Sequence, residues 1–232
     1  MVSAGTAEPS VLDNIAWHSM TGAHRHLADR NGLAARFHRD VAPFSALGDR
    51  TPQAWDDVAE LVGPGKPAIL FGPRMDVPDG WAIDVSFPCL QLVADKIVDR
   101  VPEIPLIDLG PDDVTEMVDL VQLTNPGPFS ERTIELGRYL GHRVDGRLVA
   151  LAGERMRAAG FVEVSAVCTA EDQRGRGLGA ACTLAVVRHI REHGNEAFLH
   201  VMNTNTSALR LYLALGFVVR REIDVVITRK GT

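Results

Sequence analysis

The sequence is poor in cysteine and has no long apolar run. Its three cysteines, Cys89, Cys168 and Cys182, cannot all pair with one another, and none of them forms a CxxC spacing. This pattern indicates neither a disulfide framework nor a zinc ribbon, and it is typical of a reducing compartment. The longest nearly apolar stretch, residues 211–219, ends at Arg220 and has about half the length of a membrane span. We therefore expect a cytoplasmic protein that does not enter a membrane.

The N-terminus and the net charge argue against two further classes. Residues 1–10 are small and polar, lack the basic start and apolar core of a signal peptide, and predict a mobile tail. The formal net charge of −6 argues against a dedicated nucleic-acid-binding protein, because such proteins present a basic face. Apolar residues make up 46% of the 232 residues, which is enough for a packed core.

Two prolines in the segment 100–105 separate two regimes of hydrophobic patterning. We therefore predict an α/β domain over residues 1–103 and a second domain over residues 104–232. Thr51 and Pro52 suit the N-cap and first position of a helix that stops near Gly63. The other elements predicted in the first domain are a helix over 11–30, an extended piece at 41–44, and strands at 68–71 and within 81–95.

The second domain alternates strands and helices and predicts an α/β fold with a mixed sheet. Asp145-Gly146 is a strong turn signal for a hairpin over residues 139–156. The other predicted strands are 106–109, 161–169, 196–202 and 217–228. Helices are predicted at 112–123, 177–193 and 206–215, with a rigid loop at 125–129 and a short helical turn at 130–136.

A strand, a glycine-rich loop and a helix follow one another over residues 164–180. The glycines at 175, 177 and 179 allow the backbone to approach a ligand closely. The first turn of the following helix offers free N–H groups and the positive end of the helix dipole, which together suit a phosphate. Arg174 and Arg176 add positive charge beside this loop.

Several known loop types compete for this pattern. A Walker A loop requires Gly-Lys-Ser/Thr, but Gly179 is followed by Ala180. The spacing also differs from the G-x-G-x-x-G of a dinucleotide-binding loop. Arg174, Gly177 and Gly179 form R-x-x-G-x-G, which resembles the pyrophosphate loop of the GNAT acyltransferases. A glycine-rich turn that only connects strand and helix is the alternative.

A second motif follows one strand later. Its residues, which resemble the second GNAT signature, are Asn205, Ala208, Tyr212, Gly216 and Phe217. The resemblance covers about residues 104–232 and extends to the glycine N-acyltransferase-like branch through residues 153–155 and 162–169. It implies the GNAT fold for the second domain, and it makes the smaller N-terminal domain a candidate degenerate copy of that unit.

The resemblance implies acetyl-CoA, or a related acyl-CoA, as co-substrate, and no metal. The glycine-rich loop would hold the pyrophosphate, and the end of the preceding strand would pair with the pantetheine amides. The predicted cofactor-binding residues are Val167, Cys168, Thr169, Arg174, Gly175, Arg176, Gly177, Leu178, Gly179, Ala180, Asn203, Asn205, Ala208 and Tyr212.

Acyl transfer to an amine also requires proton transfer. The resemblance implies that Tyr212 is the acid that protonates the leaving thiolate. Glu163 is the first candidate for the base that takes the amine proton, directly or through water; a surface charge is the alternative. Glu154 is the second candidate; a pair with Arg155 or another surface arginine is its alternative. Phe129 is a candidate for the acceptor pocket, and a buried loop anchor is its alternative.

The sequence thus predicts an N-acetyltransferase for a small-molecule or peptide amine, without nucleic-acid or membrane partners. A non-catalytic acyl-CoA sensor is the alternative, and a phosphate-loop nucleotide hydrolase is disfavoured by the missing lysine. The oligomeric state stays open, with a homodimer as one candidate. His18, His24 and His26 lack zinc-ligand spacing, which favours hydrogen-bonded or surface histidines.

Overall fold

A computed structural model describes residues 10–98 and 104–231. Most of the predicted tail at 1–10 and of the predicted domain boundary at 100–105 therefore lies outside the described residues. The described part before residue 99 contains two α-helices and five strands. They are α1 (Ile15–Thr21), α2 (Pro52–Val62), β1 (Ala28–Asn31), β2 (Ala34–Phe37), β3 (Ser45–Leu47), β4 (Ala68–Gly72) and β5 (Trp81–Ala94).

The described part after residue 103 contains three α-helices and six strands, in the predicted order. The helices are α3 (Val114–Thr124), α4 (Leu178–Glu192) and α5 (Thr206–Ala214). The strands are β6 (Ile107–Leu109), β7 (Tyr139–Val144), β8 (Arg147–Ala158), β9 (Phe161–Thr169), β10 (Glu196–Met202) and β11 (Phe217–Lys230).

Eight strands form one mixed sheet in the order β4-β11-β5-β10-β9-β8-β7-β6, and β1-β2-β3 form a small second sheet. In the large sheet β9 and β10 run parallel, whereas the other pairs of neighbours run antiparallel. This mixed α/β architecture confirms the predicted fold class. Strand β5 lies between β10 and β11, so strands from both sides of the predicted boundary share the sheet; the division at residues 103 and 104 stays a prediction.

Local signals account for several element boundaries. The Thr51 side chain accepts a hydrogen bond from the Ala54 backbone N–H and Pro52 opens α2, which confirms the predicted start of this helix. The chain leaves α2 through Gly63. Asp145 and Gly146 have φ values of +50° and +82°, the pattern of a type I′ turn, and they join β7 to β8 as predicted.

The predicted helix over 11–30 is wrong beyond Thr21. A 3-10 helix at Val11–Asn14 precedes α1, which ends at Gly22, and β1 begins at Ala28. The hairpin of β1 and β2 turns at Gly32, whose φ is +50°. Asn31 pairs with Ala34, so Gly32 and Leu33 form a two-residue turn, and glycine suits its first position. The extended piece predicted at 41–44 contributes only one bridge, between Phe44 and Ile69.

The two faces of the large sheet are covered by different parts of the chain. Helix α4 covers one face through Cys182, Val186 and Ile190, which are buried as its apolar stripe predicts. The N-terminal segment, residues 10–47, covers the other face. Its residues Ile15 and Phe44 belong to the same buried cluster as Phe198 of β10. Residues on β9 and β10 are therefore enclosed by both parts of the chain.

His24 connects the N-terminal segment to the rest of the molecule. Its Nδ1 lies 2.8 Å from Ser19 Oγ and its Nε2 lies 2.9 Å from the Leu136 carbonyl oxygen. Because a carbonyl only accepts, Nε2 carries the proton and Nδ1 accepts from the serine hydroxyl. Burial lowers the pKa of His24 from 6.5 to about 4, and the charges of Arg157 and His26 add to this effect.

We expect the free energy of unfolding to fall by about 3 kcal/mol between pH 7 and pH 4 because of His24. The folded-state pKa lies below the unfolded value, so between pH 6.5 and pH 4 the unfolded chain binds the extra proton. Urea unfolding at several pH values measures this slope. His24→Gln retains a donor for the Leu136 carbonyl but does not titrate, so its slope should be flatter. Equal slopes for the variant and the wild type would contradict the assignment.

Candidate active site

The parallel strands β9 and β10 separate part-way along their length. Their last paired residues are Glu163 and Phe198, yet β9 continues to Thr169 and β10 continues to Met202. Beyond that pair, the backbone edge of β9 that faces β10 has no partner strand among the described residues. The sheet therefore opens into a V at this point, and it exposes backbone groups that an extended amide chain could pair with.

A β-bulge lies along the open part of β9. Ala166 has a φ of +54°, and two residues of β9, Ala166 and Val167, lie between the pairs Gly153–Ser165 and Leu151–Cys168. Positive φ is uncommon for alanine, and bulges of this kind are frequent beside active sites because they redirect backbone groups. The bulge thus changes the direction of the β9 backbone where the strands part.

The glycine-rich turn follows the end of β9. Gly175 and Gly177 have φ values of +77° and +78°, and a methyl group at either position would meet no atom within 4 Å. In residues 10–98 and 104–231, the N–H groups of residues 175–180 have no hydrogen-bond acceptor. Arg174, whose Nε lies 3.5 Å from the Thr169 carbonyl oxygen, and Arg176 are exposed beside them. Free donors, positive charge and the start of α4 suit an anion.

Helix α5 meets this turn and the end of β9. A methyl group at Gly179 would lie 3.6 Å from Thr169 Oγ1 and 3.7 Å from Leu211 Cδ2. Asn205 accepts a hydrogen bond of 3.1 Å from the Ala208 N–H, which confirms the predicted helix cap. The predicted donor-site residues on β9, on the turn and on α5 thus belong to three adjoining elements, and Asn203 lies between β10 and α5.

Tyr212 is buried on α5 against Phe217, with their ring centroids 5.9 Å apart. Burial raises the pKa of its phenol well above the usual range, and the nearby Cys168 thiol adds to this effect. Tyr212 and Cys168 belong to the same buried cluster, so the ring lies near the end of β9. The hydroxyl is therefore protonated at neutral pH, the state that a proton donor requires.

Glu163 lies where β9 and β10 part, and its side chain is not exposed. Its alternative interpretation as a surface charge is therefore wrong. Arg155 Nε and Nη2 donate to the two carboxylate oxygens at 2.8 and 2.6 Å, and His200 Nδ1 lies 2.7 Å from Oε1. Burial alone would raise the pKa of Glu163, but Arg155 and His200 outweigh it and lower the pKa to about 2. The carboxylate is thus ionised.

Glu154 lies in a different place from Glu163. It is buried beside His189, near the end of α4, and accepts a 2.8 Å hydrogen bond from Arg157. Arg155 binds Glu163 instead, so that partner is wrong, whereas the pairing with Arg157 agrees with the predicted alternative of another surface arginine. From Leu178 to His189 the helix rises about 16 Å, which separates Glu154 from the glycine-rich turn.

Phe129 is half-buried and packs edge-on against Tyr139, with ring centroids 5.5 Å apart. Thr133, in the short helical turn, is buried and donates a hydrogen bond of 2.6 Å to the Val41 carbonyl.

The sequence motifs do not identify His200 or Gln91. In the structure His200 contacts Glu163, and Gln91 contacts His200. Alternation with the buried Phe198 on β10 is the signal that would have placed His200 on the inner face.

Among the described residues, no three or more His, Cys, Asp or Glu side chains form a group suited to a metal ion. The helices of the described part are too short or too polar to cross a membrane. The mixed sheet, the parted parallel strands and the glycine-rich helix start together define the GNAT fold.

Comparisons with known proteins agree with this class. The FR47-like protein family model matches residues 139–226. An acetyltransferase structure of the GNAT family from Novosphingobium aromaticivorans has 36% sequence identity and a TM-score of 0.87, over 97% of this chain and 100% of that one. A GCN5-related N-acetyltransferase from Kribbella flavida has 21% identity and a TM-score of 0.66, over 94% and 95% of the two chains, and shares the fold. The chain belongs to the GNAT family of acetyltransferases.

Two curated relatives match over shorter segments. The mycothiol acetyltransferase of Thermobispora bispora is 44% identical over 68 residues, which are 29% of this chain and 23% of that protein. The mycothiol acetyltransferase of Thermomonospora curvata is 37% identical over 91 residues, 39% of this chain and 30% of the relative. The matches span less than a third of the length of either relative.

Proposed function

We propose that this protein transfers the acetyl group of acetyl-CoA to an amine. The observation that carries the proposal is the meeting of the parted β9 edge, the free N–H groups at the start of α4, and the phenol of Tyr212. The turn offers donors and open space for a diphosphate. The β9 edge offers backbone groups to the amides of the pantetheine arm, which ends in the reactive thioester.

Tyr212 and Glu163 are the proposed acid and base. Glu163 accepts the proton that the attacking amine loses, and Tyr212 Oη donates a proton to the departing sulfur. An amide C–N bond replaces the thioester C–S bond, and solvent restores both side chains. With a pKa of about 2, Glu163 is a weak base. We therefore expect its contribution to lie near the lower end of general-base catalysis, about 100-fold.

The acceptor is proposed to be a small-molecule or peptide amine, with Phe129 as a candidate lining residue. The matched curated relatives carry the name mycothiol acetyltransferase, which supports a small-molecule acceptor. The glycine N-acyltransferase-like branch, a homodimer and a cytoplasmic location stay predictions. Glu154, beside the far end of α4, is the weaker candidate for a role at the acceptor.

One observation favours the second candidate, a non-catalytic acyl-CoA sensor. Glu163 is not exposed, and both of its oxygens accept hydrogen bonds from Arg155. A sensor would bind the ligand and transfer nothing, whereas the enzyme releases free thiol in step with acetylated amine.

The experiment that tests the proposal mixes the protein with acetyl-CoA and a panel of small-molecule and peptide amines, and it measures thiol release together with product mass. We expect thiol and acetylated amine in equal amounts for at least one amine. Tight coenzyme A binding without transfer to any amine would instead support the sensor. The absence of coenzyme A binding would contradict both candidates.

A further inference from the structure

A chain of hydrogen bonds extends from Glu163 across the sheet, on the face that the N-terminal segment covers. Arg155 and His200 both bind the Glu163 carboxylate. His200 Nε2 lies 3.0 Å from Gln91 Nε2, and Arg220 Nη1 donates to Gln91 Oε1 at 2.7 Å. The chain thus crosses β8, β9, β10, β5 and β11 in turn.

Gln91, which is buried, has only one possible amide orientation in this network. Its Oε1 faces Arg220, which can only donate, and its Nε2 lies 2.9 Å from the Leu12 carbonyl oxygen, which can only accept. A flipped amide would place two donors together and two acceptors together. The amide NH₂ therefore directs one hydrogen to Leu12 and the other to His200.

This orientation determines the tautomer of His200. Because Gln91 donates to Nε2, that nitrogen carries no proton and accepts. The imidazole is therefore neutral, and its proton lies on Nδ1, from where it is donated to Glu163 Oε1 over 2.7 Å. The other tautomer would leave Nε2–H facing the amide hydrogens and the Nδ1 lone pair facing the carboxylate.

Aromatic packing holds the ring in place. The rings of Phe71 and Phe198 both pack edge-on against His200, with centroids 5.6 Å away. The Arg155 guanidinium lies 4.9 Å above the ring centroid of Phe44. Both groups that bind the Glu163 carboxylate therefore contact a phenylalanine from the N-terminal part of the chain.

We propose that Gln91 is a positioning residue of the active site, which fixes His200 as the Nδ1–H donor to Glu163. The inference rests on the proposed function for the role of Glu163. Gln91 lies on β5, well before residue 139, where the family-model match begins. The N-terminal part of the chain thus contributes to the geometry at the proposed catalytic carboxylate.

An ion pair lies at each end of this chain of hydrogen bonds. Arg155 pairs with Glu163, and Arg220 pairs with Asp13 at 2.8 Å. Arg221 also binds Asp13, at 2.7 Å. A neutral Gln91–His200 unit therefore separates two ion pairs. Substituting a glutamate for Gln91 changes this unit without altering its size.

Nitrogen-15 NMR of histidine-labelled full-length protein tests the first part of the proposal. We expect His200 to show a protonated Nδ1 and an unprotonated Nε2 at pH 7. Gln91→Glu cannot donate to Nε2, so His200 should take a second proton and both nitrogens should report N–H. Gln91→Met, which adds no charge, should leave the proton on Nδ1 facing Glu163 and shift only the Nε2 resonance, because that nitrogen loses its hydrogen-bond donor. The exposed Gln122→Glu is the control and should match the wild type.

Steady-state kinetics test the second part. Gln91→Glu should lower kcat about tenfold and leave KM for acetyl-CoA unchanged, the scale of one altered hydrogen bond to a charged group. His200→Asn retains an amide donor for Glu163 but lacks Nε2. Adding Gln91→Glu to this variant should therefore have no further effect on kcat.

An Nε2–H tautomer in the wild type, or a wild-type-like His200 spectrum in Gln91→Glu, would overturn the proposal. So would an altered spectrum with an unchanged kcat, or an effect of Gln91→Glu that persists in the His200→Asn background. A wild-type protein that acetylates no amine would instead contradict the proposed function, and the NMR result would still decide the tautomer.

Discussion

Gly179→Glu should raise the Kd for coenzyme A about a hundredfold or more while the protein stays folded. Gly179 lies in the first turn of α4, among the N–H groups that we propose bind the diphosphate. A carboxylate there would repel the phosphates and compete for the same donors. Losing two charge-assisted hydrogen bonds corresponds to about 3 kcal/mol or more. Isothermal titration calorimetry measures the change.

The substitution separates binding from folding because a negative charge near a helix N-terminus stabilises the helix. The thermal midpoint of Gly179→Glu should therefore equal or exceed that of the wild type. Gly179→Ala is the matched control, since its methyl group would make ordinary contacts at 3.6 and 3.7 Å. Undiminished affinity in Gly179→Glu would exclude this turn as the diphosphate site.

Tyr212→Phe should lower kcat by about 100-fold and leave the Kd for coenzyme A unchanged. The variant keeps the ring against Phe217 and removes only the hydroxyl that we propose protonates the leaving sulfur. General acids of this type contribute about 10²- to 10⁴-fold. Stopped-flow or steady-state thiol release measures kcat, and calorimetry measures the Kd.

Tyr139→Phe is the matched control, because Tyr139 is the only other tyrosine in the sequence. Its hydroxyl is buried and has no hydrogen-bond partner in the described part of the chain. We expect its kcat to stay within about twofold of the wild type. An unchanged kcat in Tyr212→Phe would show that Tyr212 is not the acid that protonates the leaving sulfur. That result would not affect the proposed acetyl-CoA site.

The sequence predicted best the elements whose ends carry local chemical signals. A short polar side chain caps α5 and a glycine follows it, so the element from Asn205 to Gly216 could be located closely. The hairpin at Asp145-Gly146 has the same local origin, since two residues with positive φ define it. Such signals act within a few residues and do not depend on the rest of the fold.

The pairing of β5 could not be predicted in this way. It lies between β10 and β11, more than 100 residues later in the sequence, and no local pattern specifies such a partner. Gln91 is therefore invisible to sequence reasoning, because its role depends on His200 and Arg220 being brought beside it. Glu163 was found as a candidate base from its strand, but its burial and its two partners follow only from this long-range pairing.

The most direct test of the account is a crystal structure of the protein with coenzyme A. We expect the diphosphate oxygens within about 3 Å of the backbone nitrogens of residues 175–180, the pantetheine arm along the open edge of β9, and the sulfur within reach of Tyr212 Oη. Coenzyme A bound elsewhere, with the start of α4 free of phosphate, would contradict the account.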